Sequence, residues 1–185
     1  MPYSIFLDLD GTLLPAGSHQ ISDRTLGALT KAKNDGHRIF LNTGRPPSGL
    51  SEDAYRGFPF DGYLCGCSYV KVGGTVILAD RLTANELKPI VAHFYGRDII
   101  VLLEGEESVR AAYDQTGESG FLPVNEINEI FRICESEPIT KITVRKRLNE
   151  EDLAFIRQFA DPIPRSDSDC TEVVPRNHSK ATVMN

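Results

Sequence analysis

The segment Asp8-Leu9-Asp10-Gly11-Thr12 sets two carboxylates on either side of a single leucine. Residues i and i+2 of an extended chain point the same way, so both acids meet at one spot. Like charges this close raise each other's pKa unless a cation or hydrogen-bond donors compensate. The preceding run, Ile5-Phe6-Leu7, reads as a strand buried on both faces, as in a parallel sheet. The acids therefore fall at the C-terminal end of a parallel strand, where open α/β sheets bind ligands. A hard cation such as Mg2+ suits oxygen ligands there, and Gly11 permits the tight exit such a loop needs. A solvated strand end is the plainer reading, because Asp and Gly are common turn residues. An EF-hand loop is excluded, since a strand rather than a helix precedes the motif and the later ligands are missing.

The elements that position these acids follow from periodicity. Ser22 is a candidate N-cap, Ile21 and Leu26 suit a hydrophobic staple, and Leu26, Leu29 and Ala32 line one helical face. Gly36 is placed to end that helix. Arg38-Ile39-Phe40-Leu41-Asn42-Thr43-Gly44 repeats the first pattern, an apolar strand with polar residues at its end. Pro46 or Pro47 suits the first turn of another helix. Tyr63 to Ser68 reads as a third strand, and Tyr69 to Leu78 as a hairpin turning at Gly73-Gly74. Strands and helices in this order argue for an open α/β sheet with right-handed crossovers.

The pattern then changes. Ala84 to Tyr95 is helical, Ile99 to Leu103 and Ser108 to Tyr113 are paired strands, and Val124 to Cys134 is an amphipathic helix. Ile139 to Val144 is a strand, Asn149 caps a helix burying Leu153, Ile156, Phe159 and Ala160, and Thr171 to Val174 is the last strand. The fold class expected is α/β, with a Rossmann-like parallel-sheet core and an inserted α+β cap. Residues 1–80 form the first part of the core, 81–171 the cap, and 172–185 the start of the returning core segment.

Composition sets the outer bounds. With 41% apolar and 25% charged residues over 185 positions, a packed core is expected and wholesale disorder is not. The net charge of −6 and the lack of a basic stripe argue against nucleic acid. No signal peptide and no run near the ~20 apolar residues of a membrane span is visible. Cys65 and Cys67 would share one face of a strand, but no second close pair completes a zinc set. Buried reduced thiols and a cytoplasmic location follow. The histidines are scattered, with His178 read as a loop residue, and no serine sits in a nucleophile elbow.

Phe6-Leu7-Asp8-Leu9-Asp10-Gly11-Thr12-Leu13-Leu14 resembles the first motif of haloacid dehalogenase-superfamily phosphatases. Ile21-Ser22-Asp23-Arg24-Thr25 and Leu41-Asn42-Thr43-Gly44-Arg45-Pro46 are similar to the following helix and second motif of its Cof-type branch. Val174-Pro175 through Ser179-Lys180-Ala181 resembles the third motif. The resemblance is strong over residues 3–80 and 172–182, and across the cap it is mainly architectural.

That resemblance implies hydrolysis of a small phosphorylated metabolite, a sugar phosphate being the family-level guess, with Mg2+ as cofactor. Asp8 would attack phosphorus and form an aspartyl-phosphate. Asp10 would protonate the leaving alcohol and then activate water. The Asp8 carboxylate and the Asp10 main-chain carbonyl would hold the metal. Thr43 and the Gly44 amide would bind phosphoryl oxygens, Lys180 would neutralise charge, and Arg45 would reach substrate. The bland alternatives are a strand-end threonine, a surface lysine and a solvated arginine.

Two departures stand out. The branch often shows Asn-Gly after the third strand, where this chain has Gly66-Cys67-Ser68. The fourth motif, Gly-Asp-x-x-x-Asp, which supplies the remaining metal carboxylates, is not found before Met184-Asn185. The encoded protein is therefore expected to continue past Asn185, and the strand at residues 5–7 to lie at a sheet edge open to self-association. The competing readings are a phosphotransferase or mutase of the same fold, and a non-catalytic fragment or phosphate-binding pseudoenzyme.

Overall fold

The computed structural model describes residues 1–166 and 168–184; Asn185, named above, lies outside them. The described chain builds two sheets. In the first, β1 (Ser4–Leu7) leads through α1 (Asp23–Asn34) to β2 (Arg38–Thr43). Then come β3 (Gly62–Cys65), β4 (Tyr69–Val72) and β5 (Thr75–Ala79), in the spatial order β1-β2-β3-β4-β5. The first three strands are parallel, and β4 and β5 add an antiparallel hairpin.

Local chemistry accounts for these elements. Ser22 caps α1, its hydroxyl accepting the Thr25 N–H at 3.1 Å. Ile21 and Leu29 bury beneath the sheet with Leu9, Leu13, Leu14, Ile39 and Leu41. Each such side chain contributes about 1.5–3 kcal/mol of burial. β2 is buried on both faces over Ile39–Thr43, as a central parallel strand should be. β1 differs from expectation: its pattern alternates, and Phe6 is 38% exposed. The cause is position, because β1 lies at the end of the sheet order and Phe6 has its ring stacked only on Phe40, 4.9 Å away. Cys67 also departs from the strand reading. It sits in a turn at φ 66°, so it shares no strand face with Cys65. After Pro46 the chain makes a 3-10 turn, Pro47–Gly49, rather than a full helix.

The second sheet carries β6 (Val101–Gly105), β7 (Val109–Ala112), β8 (Leu122–Val124), β9 (Ile139–Val144), β10 (Asp161–Pro164) and β11 (Thr171–Val174). Their spatial order is β10-β11-β9-β6-β7-β8. Helices α2 (Ala84–His93), α3 (Ile127–Ser136) and α4 (Glu150–Ile156) join the strands. Leu87, Ile90, Ile130, Leu153 and Ile156 pack with Val101, Leu103, Ile139 and Ile142 in one core.

Three readings are corrected here. Val124 ends β8, paired in parallel with Ala112, and the helix begins only at Ile127. One buried valine fits either period, so its neighbours in space decide. β10 was not foreseen, since Pro162 and Pro164 argue against a strand; an edge position tolerates them. β11 pairs with both β9 and β10, so the second sheet extends through Val174 rather than stopping at residue 171. Among the described residues no helix is long and apolar enough to cross a membrane.

Two consequences can be measured. Leu9 is fully buried beneath the loop that bears both acids. Leu9→Ala should cost about 2–5 kcal/mol in urea unfolding, the range for truncating a core leucine. On the outer helices, Asp152 accepts from His93 at 2.7 Å and Arg97 at 2.6 Å. Burial alone would raise its pKa, but those two donors outweigh it and hold the carboxyl below 3.8. A depressed carboxylate stabilises the fold above its unfolded pKa and loses that contribution as pH falls through the folded value. Thermal midpoints below about pH 4 should therefore fall less steeply for Asp152→Asn than for the parent chain.

Candidate functional site

At Leu7 the chain leaves β1 and folds back on itself. The Leu14 N–H donates to the Leu9 carbonyl at 2.8 Å, and the Gly11 N–H to the Leu14 carbonyl at 2.9 Å. Gly11 takes φ 78°, a left-handed turn that favours glycine. Leu9, Leu13 and Leu14 point into the core, which leaves Asp8 and Asp10 on the other side of the loop.

Each acid meets a cation brought from elsewhere in the chain. Lys180 Nζ donates to Asp8 Oδ2 at 2.7 Å, while Asp8 Oδ1 accepts the Leu9 N–H at 2.9 Å. Arg45 forks onto Asp10, with Nε on Oδ2 at 2.9 Å and Nη2 on Oδ1 at 2.7 Å. The Asp10 hydrogen bond holds the Arg45 guanidinium above its ordinary pKa. The fork is a strong, directional geometry. Arg45, read from sequence as a substrate contact, thus rests on Asp10.

The remaining sequence candidates support these pairs. Thr43 is fully buried and does not line the cavity. Its hydroxyl accepts the Arg45 N–H at 3.1 Å and so sets where Arg45 leaves β2. Gly44 does line the cavity. Asn42 donates to the Lys180 carbonyl at 3.2 Å, tying the returning chain to the end of β2. Gly66-Cys67-Ser68 does not line the cavity, and Ser68 donates to the Thr140 carbonyl at 3.0 Å across to the second sheet.

Asp8, Asp10, Gly44, Arg45 and Lys180 form one wall of a cavity of about 570 Å³. The facing wall comes from the second sheet: Leu102, Glu104, Lys141, Thr143 and Glu172, with Val109 and Phe121. These were missed in the sequence. Lys141 and Glu104 are nearly closed off, at 4% and 7% side-chain exposure. Burial opposes charge on Lys141, but the Glu104 and Glu172 carboxylates outweigh it and hold the ammonium above its ordinary pKa. Burial pushes Glu104 up, against the pull of Lys141. The available signal was a charged residue inside an otherwise apolar strand, as in Ile139-Thr140-Lys141-Ile142.

The chemistry available is that of oxygen nucleophiles and charge. Burial pushes the Cys65 thiol up to about 12 and that of Cys134 to about 11, so neither is a thiolate near neutrality. The Asp8 and Asp10 carboxylates and their loop carbonyls are hard donors. Among the described residues no group of three or more His, Cys, Asp or Glu could cage a metal. This set fits Mg2+, which takes one or two carboxylates and completes its shell with water and phosphate oxygens.

The chain is similar to proteins already known. A family model described as haloacid dehalogenase-like hydrolase matches residues 5–185. A Bacillus subtilis (strain 168) protein, 5-amino-6-(5-phospho-D-ribitylamino)uracil phosphatase YitU, is 51% identical over 45 residues. That match spans 24% of this chain and 16% of the relative. Among solved structures, the HAD-superfamily phosphatase BT1666 from Bacteroides thetaiotaomicron superposes with a TM-score of 0.79 at 23% identity. The HAD subclass IIB sugar phosphatase BT4131 does so with 0.75 at 20%. The superpositions cover all of this chain and 70% and 74% of theirs, respectively, and at such identities they speak for the fold alone.

The two ionic sites should respond differently to mutation. The Arg45–Asp10 pair is 34% and 53% exposed, so Arg45→Ala should change unfolding free energy by no more than about 1 kcal/mol. Lys141→Met leaves the buried Glu104 carboxylate without its cation and should cost about 3–5 kcal/mol by the same denaturant titration.

Proposed function

This chain belongs to the haloacid dehalogenase-like hydrolase family, and from that premise we propose that it hydrolyses a small phosphomonoester through Asp8. Asp8 attacks phosphorus, forming an Asp8 O–P bond as the bond to the leaving alcohol breaks. Asp10 gives that alcohol its proton. A water then attacks the aspartyl-phosphate, Asp10 takes the proton, and orthophosphate leaves as the Asp8 carboxylate is regenerated. Splitting one displacement into two is the logic of nucleophilic catalysis.

The observation that carries this reading is the Lys180–Asp8 contact of 2.7 Å, reached across 172 positions of sequence. Lys180 offsets charge on Asp8 and on the phosphoryl oxygens, and such stabilisation with positioning does most of the work in phosphoryl transfer. The Gly44 amide offers a further donor, on a strand end fixed by the buried Thr43. The Arg45 fork holds the Asp10 carboxyl in one orientation beside Asp8. Donation to the leaving alcohol requires Asp10 to be released, and Arg45 then turns to the incoming phosphoryl group. Mg2+, held by the Asp8 carboxylate and the Asp10 main-chain carbonyl, would supply further neutralisation of phosphoryl charge.

The substrate class we infer is a sugar or polyol phosphate. Two relatives are named for a sugar phosphatase and for a phosphatase of a phosphoribitylamino compound. Glu104 and Glu172 on the second sheet are acceptors suited to hydroxyl groups. The four free thiols suit a reducing cytoplasm.

The test is orthophosphate release from a panel of sugar phosphates with Mg2+. Asp8→Asn should abolish it, because an amide is a poor nucleophile. Asp10→Asn should slow it by roughly 10²–10⁴-fold, the usual size of general acid–base help. Full activity in Asp8→Asn would sink the mechanism. Phosphate binding without any turnover in the unaltered protein would replace it with a binding role.

A further inference from the structure

We propose that Lys141 is a positioning residue that couples the seating of the second sheet to the geometry of the phosphate-holding loop. The proposal rests on the reading of Asp8, Thr43, Gly44 and Lys180 as a phosphoryl site.

The first argument is a count of protons. An ammonium has three donors and no acceptor. Lys141 Nζ lies 2.7 Å from the Gly44 carbonyl, 3.0 Å from Glu172 Oε1 and 3.4 Å from Glu104 Oε2. Two protons are given in hydrogen bonds and the third side of the ammonium faces the Glu104 carboxylate, so Lys141 is occupied by the protein itself. Its charge is matched as well: Glu104 and Glu172 face it, and Arg165 Nη1 lies 3.3 Å from Glu172. A lysine meant to bind phosphate would be left under-coordinated, as Lys180 is with its single carboxylate contact.

The second argument concerns one peptide unit. Lys141 fixes the Gly44 carbonyl, and the N–H of that same peptide, on Arg45, is fixed by Thr43 Oγ1 at 3.1 Å. The Gly44–Arg45 plane is thereby held at both ends, once from the second sheet and once from β2. Its orientation sets the path of Arg45, whose guanidinium grips Asp10. The lysine stem is guided too. Gly66, at φ 55°, turns beneath it, and a Cβ there would sit 3.5 Å from Lys141 Cδ. The Gly66 N–H meanwhile donates to the Thr43 carbonyl at 3.1 Å. Lys141 thus touches both segments flanking Thr43 while belonging to β9.

The test uses three variants of the full chain. Lys141→Met/Glu104→Gln removes the ammonium and leaves Glu172 facing Arg165 with charges balanced. Lys141→Arg keeps the charge, but a planar guanidinium cannot meet three acceptors set around a tetrahedral nitrogen; it serves if the double variant does not fold. Lys180→Ala probes the site itself. The readouts are the Gly44 and Arg45 amide resonances, the thermal midpoint, and binding of inorganic phosphate with Mg2+ by calorimetry. In the folded Lys141 variants those amides should shift and phosphate affinity should fall by about 10- to 100-fold, the scale of a misplaced binding group. Unmoved amides with affinity within about twofold of the parent, a change too small to count as misplacement, overturn the coupling alone. No phosphate binding by the parent chain, or binding indifferent to Lys180→Ala, overturns the site reading and this inference with it.

Discussion

Two carboxylates cannot share the end of one strand without positive charge brought to them. Much of the rest of the molecule answers that constraint. The short stretch around Asp8 and Asp10 contains no lysine or arginine, so the compensation arrives from a distance. Arg45 comes from the end of the neighbouring parallel strand, and Lys180 from the chain's return out of the second sheet. Parallel pairing of β1 and β2 puts Phe6 opposite Phe40 and Leu7 opposite Leu41, so that both strand ends emerge on the same side. The α1 crossover is what makes that pairing parallel. The fold is in this sense a means of delivering two cations to two acids.

The second sheet adds a different kind of electrostatics. Around Asp8 and Asp10 the pairs are part-exposed, as the proposed binding and release of phosphate would need. Around Lys141 they are buried and saturated, as groups that must stay in place need to be. The contrast separates working charge from structural charge within one cavity. It follows from burial: exposed pairs contribute little stability, whereas breaking a buried pair is costly.

Much of the first sheet could be read from sequence because its signals are local. Asp8-Leu9-Asp10-Gly11 follows an apolar run, Ser22 caps its helix, and Gly73-Gly74 turns its hairpin, where both glycines have positive φ. Asp8, Asp10, Gly44 and Lys180 came together because each belongs to a recognisable motif. Glu104, Lys141 and Glu172 belong to none. Each is one charged residue in a short apolar strand, and alternation explains it locally as a solvent-facing position. Only the pairing of β9 with β6 and β11 turns all three toward one another. The Arg45 fork on Asp10 was hidden for a related reason, since an arginine just after a strand gives no sign of which carboxylate it will meet. Pro162 and Pro164 hid β10 because the edge position that excuses them exists only in three dimensions.

The chain passes between the sheets twice, after β5 and after β11, and the two passages are clasped: Asp80 on the first lies 2.9 Å from the His178 ring on the second. That clasp, with the Ser48–Gly105 and Ser68–Thr140 hydrogen bonds between the sheets, holds Lys141 against Gly44. The seat of the second sheet and the shape of the loop after β2 are thus set by one group of tethers.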